Sequence, residues 1–244
     1  MTNLSVNLNK VALLRNARDI GIPSVIAAAE ICIEAGAHGI TVHPRPDERH
    51  IRYSDVYELN EMLTVEFNIE GNPFTGRYME IVADVKPAQA TLVPDEPGQN
   101  TSDHGWDIDK NKDRLLPVVE KLKNLGIRVS LFVDPDIAAM QMAKELGADR
   151  VELYTEPYAC AFSEDKNLSE VINSYAVAAK AATEAGLELN AGHDLNLHNL
   201  ARCLTEVGGI SEVSIGHALI ADAIEMGLYT SVKEYCKILK NVNK

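Results

Sequence analysis

The stretch Glu34-Ala35-Gly36-Ala37-His38-Gly39-Ile40-Thr41-Val42-His43-Pro44-Arg45-Pro46 decides how this chain folds. A glycine after a helical run takes the left-handed conformation that closes a helix, so Gly36 marks a helix end. Ile40-Thr41-Val42 is a β-branched run suited to a strand. Pro44 and Pro46 cannot continue a strand ladder or enter a helix interior, so the chain must leave the sheet there. The reading is a helix, a tight joint, a buried strand, and a loop that receives His43 and Arg45 at the strand's C-terminal end. Parallel α/β proteins build their sites at such ends. The continuation Asp47-Glu48-Arg49-His50-Ile51 would, alone, pass for a solvated surface loop.

The same joint recurs at Asn124-Leu125-Gly126-Ile127, Glu145-Leu146-Gly147-Ala148 and Glu184-Ala185-Gly186-Leu187, at irregular spacing. Repeated αβ units follow, and a fixed-period solenoid does not. Strands are expected near 4–9, 39–43, 66–70, 90–93, 128–133, 150–154, 187–191 and 212–215. Helices are expected near 24–35, 53–63, 75–85, 112–125, 136–146, 168–185, 197–206 and 218–227, with a last amphipathic segment at 231–241. No Pro/Ser-rich linker divides them. The fold predicted is α/β, one (β/α)8 TIM barrel with additional helices, as a single domain over 1–244. An open doubly wound sheet would need a Gly-rich turn after its first strand, and Leu8-Asn9-Lys10-Val11 has none.

Composition narrows the class. Hydrophobic residues at 46% support a sizeable core, and a net charge of −13 argues against nucleic acid or an anionic membrane as partner. Any anionic substrate must be drawn by a local cluster of cations. Cys32, Cys160, Cys203 and Cys236 form no CxxC and read as reduced thiols. The first eight residues lack a signal-peptide pattern, and the apolar stretch at 22–33 is too short to span a bilayer. A soluble, cytoplasmic protein is expected.

Polar groups recur at alternate positions near the strand ends: Asn7 and Asn9, Thr41 and His43, Asn68 and Glu70, Glu152 and Tyr154, and Asn190 before His193. A period of two puts each set on one face, so an inward face would make them converge at the barrel mouth. Gly192-His193 and Gly216-His217 end the seventh and eighth strands, where barrels commonly bind phosphate on backbone N–H groups and a helix N-terminus. Arg15, Arg18, Arg45 and His50 are candidates for a second anion, although Arg15 or Arg18 could equally be a solvated helix-start charge. Glu70 can be raised toward a general-base pKa, and His43 and His193 suit proton transfer near neutrality.

No HxH, HExxH or cysteine pair supports a metal, so neither metal nor cofactor is expected. The long polar loop 94–110 is read as a lid, with Thr101 or Ser102 touching substrate. Glu156-Pro157-Tyr158 is read as another wall, Asp134 and Asp136 as helix caps. Val232, Tyr235, Ile238 and Leu239 share one helix face that is expected to pack on its own barrel.

With these residues in view, the chain resembles the pyridoxine 5'-phosphate synthase family over nearly its whole length. The matching pieces are Val6-Asn7, Leu14-Arg15-Asn16-Ala17-Arg18, Gly39-Ile40-Thr41-Val42-His43 with Arg45, and Arg49-His50-Ile51. Asn68-Ile69-Glu70, Leu92-Val93-Pro94, Val129-Ser130-Leu131-Phe132, Asn190-Ala191-Gly192-His193 and Ile215-Gly216-His217 complete them. The resemblance implies a TIM-barrel homo-octamer. It implies condensation of 3-amino-2-oxopropyl phosphate with 1-deoxy-D-xylulose 5-phosphate, giving pyridoxine 5'-phosphate, phosphate and water.

It further implies that His43 and Glu70 accept protons and His193 donates one. Asn7, Arg18, Gly192 or the neighbouring Asp194, Gly216 and His217 would hold the amino-oxopropyl phosphate. Arg45, His50 and Thr101 would hold the deoxyxylulose phosphate. The chain departs from better-known members at Asn9-Lys10, where they carry Asp-His, and at Asp194, where they carry Gly. Those positions are counted with the substrate-facing set. The rival readings are a sugar-phosphate aldolase or isomerase, with Lys10 the only strand-end lysine for a Schiff base, and a non-catalytic binding barrel.

Overall fold

The computed structural model describes residues 1–18, 20–96, 98–99 and 101–242. The chain runs β1 (Asn3–Asn7), α1 (Asn9–Asn16), α2 (Val25–Ala35), β2 (Gly39–Val42), α3 (Tyr53–Met62), β3 (Glu66–Gly71), α4 (Tyr78–Val85) and β4 (Gln89–Leu92). It continues α5 (Ile108–Asn124), β5 (Arg128–Val133), α6 (Ile137–Glu145), β6 (Arg150–Leu153), α7 (Glu156–Glu164) and α8 (Leu168–Glu184). Then come β7 (Glu188–Ala191), α9 (Leu200–Val207), β8 (Ile210–Ile215), α10 (His217–Met226) and α11 (Leu228–Val242). All eight strands are parallel, each beside its neighbour in sequence, and β1 pairs with β8 to close the barrel.

The joint that decided the reading is present. Gly36 closes α2 at φ 104°, and β2 begins three residues later, at Gly39. Gly39 itself is held to close approach, since a Cβ there would lie 3.1 Å from the Glu66 carbonyl oxygen of the neighbouring strand. Asp136 caps α6 by accepting the Ala139 N–H, as expected. Asp134 instead accepts from Gly105 N–H and so ties the lid loop to the end of β5.

Three helices stand outside the alternating eight. Residue 9 was expected in the first strand, but β1 stops at Asn7, whose Oδ1 accepts the Asn9 N–H and turns the chain into α1. The wall at Glu156 is the first turn of α7, where Pro157 sits at a position that needs no N–H donor. The third, α11, packs on α2, α9, α10 and β1 of its own barrel, burying Val232, Tyr235 and Leu239. The lid is shorter than expected because Asp107 caps α5 and starts it at Ile108. No described helix is long and apolar enough to cross a membrane.

The apolar core lies between strands and helices, while the barrel lumen is polar. At the N-terminal ends of the strands, Arg150 meets Glu188 and Glu212, Arg128 pairs with Glu66, and both arginines donate to Gln89 Oε1. Above them Ser5 bonds to Thr41, Asn68 donates to Thr41, and Thr91 donates to Asn68. Neighbouring strands thus hydrogen-bond one another's buried side chains.

Candidate active site

At the C-terminal mouth a cavity of about 320 Å³ opens. The β1–α1 turn contributes Asn7, Asn9 and Lys10, the segment after β2 contributes His43, Arg45 and His50, and β3 contributes Glu70. Thr101 and Ser102 face it from the lid, and Glu152 faces it from β6. His193, Asp194, Gly216 and His217 close the ring from the β7 and β8 loops.

Two predicted residues are placed elsewhere. Arg18 is exposed beyond α1 and does not line the cavity. Gly192 lies behind the wall, where a Cβ would come within 2.7 Å of Glu152 Oε1; a carboxylate, and not an anion at the mouth, is what crowds this glycine.

The side chains are held by one another. Asn7 Nδ2 donates to Glu70 Oε2 at 3.3 Å, and Asn9 Oδ1 accepts the His43 N–H at 2.9 Å. His50 Nδ1 accepts the Ile51 N–H, so its ring proton in the neutral form sits on Nε2. Arg15 is neither an anion ligand nor a solvated charge. It is buried against Asp55 and donates to the His50 carbonyl, while Asn16 donates to the carbonyls of Glu48, Arg49 and His50. Together they clamp the loop that presents His50. The His193 ring packs beside Phe132 and Tyr154, at 5.8 and 5.4 Å between centroids.

Burial sets the protonation states. It pushes His43 well below the usual imidazole value, with Arg45 and His50 adding to the effect, and takes His50 to about 4. His193 is also lowered by burial, partly offset by Asp194. Glu70 is pushed up to about 8 by burial, then by the Asp95 carboxylate, against the pull of Arg45. Glu152 is raised well above the carboxylate range by burial and by Glu70, and its buried Oε2 has no hydrogen-bond partner among the described residues. At neutral pH His43, His50 and His193 are therefore uncharged, and Glu70 and Glu152 favour the protonated form. Neutral imidazoles can accept protons, and a carboxyl near 8 can pass one in either direction.

Sequence reasoning gave Glu152 the right face but no role, and missed Asp95, which pairs with Arg45. The parity that singled out Glu70 applies equally to Glu152; Asp95 lies in a loop without periodicity and carried no signal.

At the phosphate site expected on the eighth strand end, Gly216 and His217 begin α10, so backbone N–H groups and the positive end of a helix face the cavity. Gly216 also permits close packing, since a Cβ there would lie 3.1 Å from Asn7 Cβ. Among the described residues no group of three or more His, Cys, Asp or Glu is placed to hold a metal ion.

The family model described as "Pyridoxal phosphate biosynthesis protein PdxJ" matches residues 4–241. The pyridoxine 5'-phosphate synthase of Bacteroides fragilis is 52% identical over 240 residues, covering 98% of this chain and 100% of the relative. That of Porphyromonas gingivalis is 50% identical over 235 residues, covering 96% and 98%. Among solved structures, a thiamine phosphate pyrophosphorylase from Pyrococcus furiosus superposes with a TM-score of 0.61 at 14% identity, covering 99% of this chain and 96% of that one. A phosphoribosylanthranilate isomerase from Thermotoga maritima gives 0.60 at 15% identity, covering 99% and 100%. These structural likenesses show the barrel fold alone.

Proposed function

The chain belongs to the PdxJ family of pyridoxal phosphate biosynthesis proteins, and from that premise we propose how its barrel mouth performs the pyridoxine 5'-phosphate synthase reaction. The substrates are 3-amino-2-oxopropyl phosphate and 1-deoxy-D-xylulose 5-phosphate, joined into the pyridine ring with loss of phosphate and water. One observation carries the reading. Three proton-transfer groups from three different strand ends, His43, Glu70 and His193, face one cavity that has cationic or N–H-rich ground on two sides. Joining an amine to a ketone, expelling water and phosphate and closing an aromatic ring needs several proton transfers at neighbouring carbons. A carboxyl and two imidazoles supply them if bulk water is kept out.

The retained phosphate sits at Gly216 and His217, on the N-terminus of α10. Asp194, as a carboxylate, takes the amine of the same substrate. Arg45, His50 and Thr101 hold the ketose phosphate that is expelled. His43, uncharged, removes protons from carbon. Glu70 relays them, because both of its forms are populated near its pKa of about 8. His193 becomes a better donor once a phosphate lies beside it, since an anion stabilises imidazolium. Glu152, protonated, offers a hydrogen bond to oxygen that gains negative charge.

Self-association is part of this reading, as a homo-octamer acting in the cytoplasm. Leu14, Ile31 and Ile224, exposed by 58%, 37% and 80%, line one apolar groove beside Pro23 and Ile220, the kind of surface that a second copy covers. Arg18 follows α1, four residues beyond the groove's Leu14, and contact with a neighbouring copy's mouth would reconcile its exposure with a ligand role.

The test is the purified, metal-free protein with both phosphates, following product absorbance and phosphate release together. Both signals are expected only when both substrates are present. Phosphate released from the ketose phosphate alone, without product, would overturn the condensation.

A further inference from the structure

The guanidinium assigned to the leaving phosphate is already paired with protein. Arg45 Nη2 contacts the Asp95 carboxylate, with 6% and 3% of the two side chains exposed, and Arg45 Nη1 donates to the Gln99 carbonyl at 3.1 Å. Asp95 belongs to the loop after β4, not to the segment that carries Arg45. That loop is pinned from behind: Asn72 Nδ2 donates to the Asp95 carbonyl at 3.0 Å, and Trp106 Nε1 donates to the Leu92 carbonyl at 2.9 Å. Ser102 Oγ donates to Asp95 Oδ2 at 2.8 Å, while Oδ1 is buried with no hydrogen-bond partner among the described residues.

A buried carboxylate with one oxygen unserved depends on its cation, and a carboxylate offers a guanidinium the same kind of charge-assisted contact as a phosphate. Arg45 lines both the reaction cavity and a smaller chamber of about 60 Å³ behind it, and Asp95 lines only the latter. The guanidinium thus stands on a partition, with a carboxylate on one side and the substrate on the other.

We propose that Asp95 competes with the leaving phosphate for Arg45, holding the guanidinium in place before substrate arrives and reclaiming it so that inorganic phosphate departs. Asp95 is a positioning residue in this account, and the account rests on the assignment of the expelled phosphate to Arg45. A phosphate then binds against an existing ion pair, which lowers its affinity both as part of the substrate and as product. Ser102 and Gln99 share the pairing, so the same exchange loosens the lid when phosphate enters and restores it when phosphate leaves.

The experiment is steady-state kinetics of Asp95→Asn, which keeps the shape and the acceptor for Ser102 but removes the charge. The inhibition constant of inorganic phosphate against the ketose phosphate should fall about tenfold, the scale of one charge-assisted contact. KM for the ketose phosphate should fall with it, KM for the amine should not, and kcat should drop as release slows. Asp95→Glu, which retains the charge, should stay close to wild type. Damage to the loop alone predicts the opposite sign, weaker phosphate binding through a disordered Arg45. A folded Asp95→Asn enzyme with unchanged or weaker phosphate inhibition overturns the proposal, and Asp95→Ser carries the same expectation should the amide variant not fold. Arg45→Ala separates the two layers. If it leaves phosphate inhibition untouched, the placement of the leaving phosphate fails; if it abolishes inhibition while Asp95→Asn is neutral, only the competition fails.

Discussion

Glu66 and Glu70 stand on the same face of β3, four residues and roughly 13 Å apart, yet their chemistry is opposite. At the bottom of the lumen a hydrogen bond from Arg128 holds Glu66 below the ordinary carboxylate range. At the mouth, burial and the neighbouring Asp95 push Glu70 up to about 8, and among the described residues only an amide, Asn7, donates to it. Both surroundings are polar, so polarity does not distinguish them. Partnership does. Below, charges are matched within the lumen; even Glu212, which burial raises, keeps Arg150 at 3.4 Å and Asn190 at 3.2 Å. Above, among the described residues neither Glu70 nor Glu152 has a cation as a hydrogen-bond partner, and the cation nearest Glu70, Arg45, is already paired with Asp95, which leaves these carboxyls free to exchange protons with a substrate.

The comparison is tested hardest by removing its upper member. Glu70→Gln should lower kcat by about 10²–10⁴, the usual range for loss of a general acid/base, with the circular dichroism spectrum intact. The pH profile should also lose its limb near 8. Near wild-type turnover in this variant would remove Glu70 from the mechanism.

The lower half should answer in stability instead. Arg150→Leu strands the buried Glu212 without the cation it is paired with, and a broken buried pair costs about 3–5 kcal/mol; the exposed Glu188 adds little. Denaturant unfolding should register that loss, while kcat of the folded fraction stays unchanged because Arg150 does not reach the cavity. A collapse of kcat with stability preserved would mean that the two halves work as one network.

A smaller effect is the pH dependence of stability. Folded Glu70 keeps its proton up to about 8, whereas the unfolded chain releases it near 4.5, so stability falls as pH rises between those values. His50 works in the other direction: folded it refuses a proton down to about 4, the unfolded chain accepts one near 6.5, and stability falls as pH drops through that interval. Toward the upper end of the window from 6.5 to 8 the unfolded imidazoles of His43, His50 and His193 have given up their protons and the carboxyls dominate, Glu152 acting in the same sense as Glu70. There the slope should approach about 1.4 kcal/mol per pH unit for each proton, and Glu70→Gln should remove its share. Denaturation midpoints that do not move across this window in the wild-type protein would contradict the raised pKa.

Much of this division could be read from residue order. Gly36 at the end of a helix, the β-branched run after it and Pro44 defined strand ends, and alternation then put His43, Glu70 and Glu152 on one inward face. What order cannot supply is partner identity. Arg15 and Arg45 look alike in sequence, but one clamps a loop through Asp55 and the other faces the cavity while paired with Asp95 behind it. Asn7-Leu8-Asn9-Lys10 prolongs the alternation of β1, so the turn into α1 was hidden until Asn7 bonded to the Asn9 N–H. Arg18, read as an anion candidate or a solvated charge and given a ligand role by the resemblance, lies outside the cavity of its own chain, because its position depends on where α1 ends and not on any strand.

The smallest expected effect is at the lower member itself. The Glu66 side chain is 41% exposed, so its pair with Arg128 is screened by solvent, and such pairs contribute about 0–1 kcal/mol. In Glu66→Gln the guanidinium would retain Gln89 Oε1, now at 3.0 Å, so no buried charge is left alone. Unfolding should therefore shift by less than about 1 kcal/mol, less still in high salt, which screens an exposed pair. Turnover should match wild type across the pH range. If Glu66→Gln instead reduced kcat on the scale of Glu70→Gln, proton exchange would have to extend along the whole inner face of β3. The matched charges at the bottom would then belong to the reaction, and pairing could no longer be what separates the two ends of the barrel.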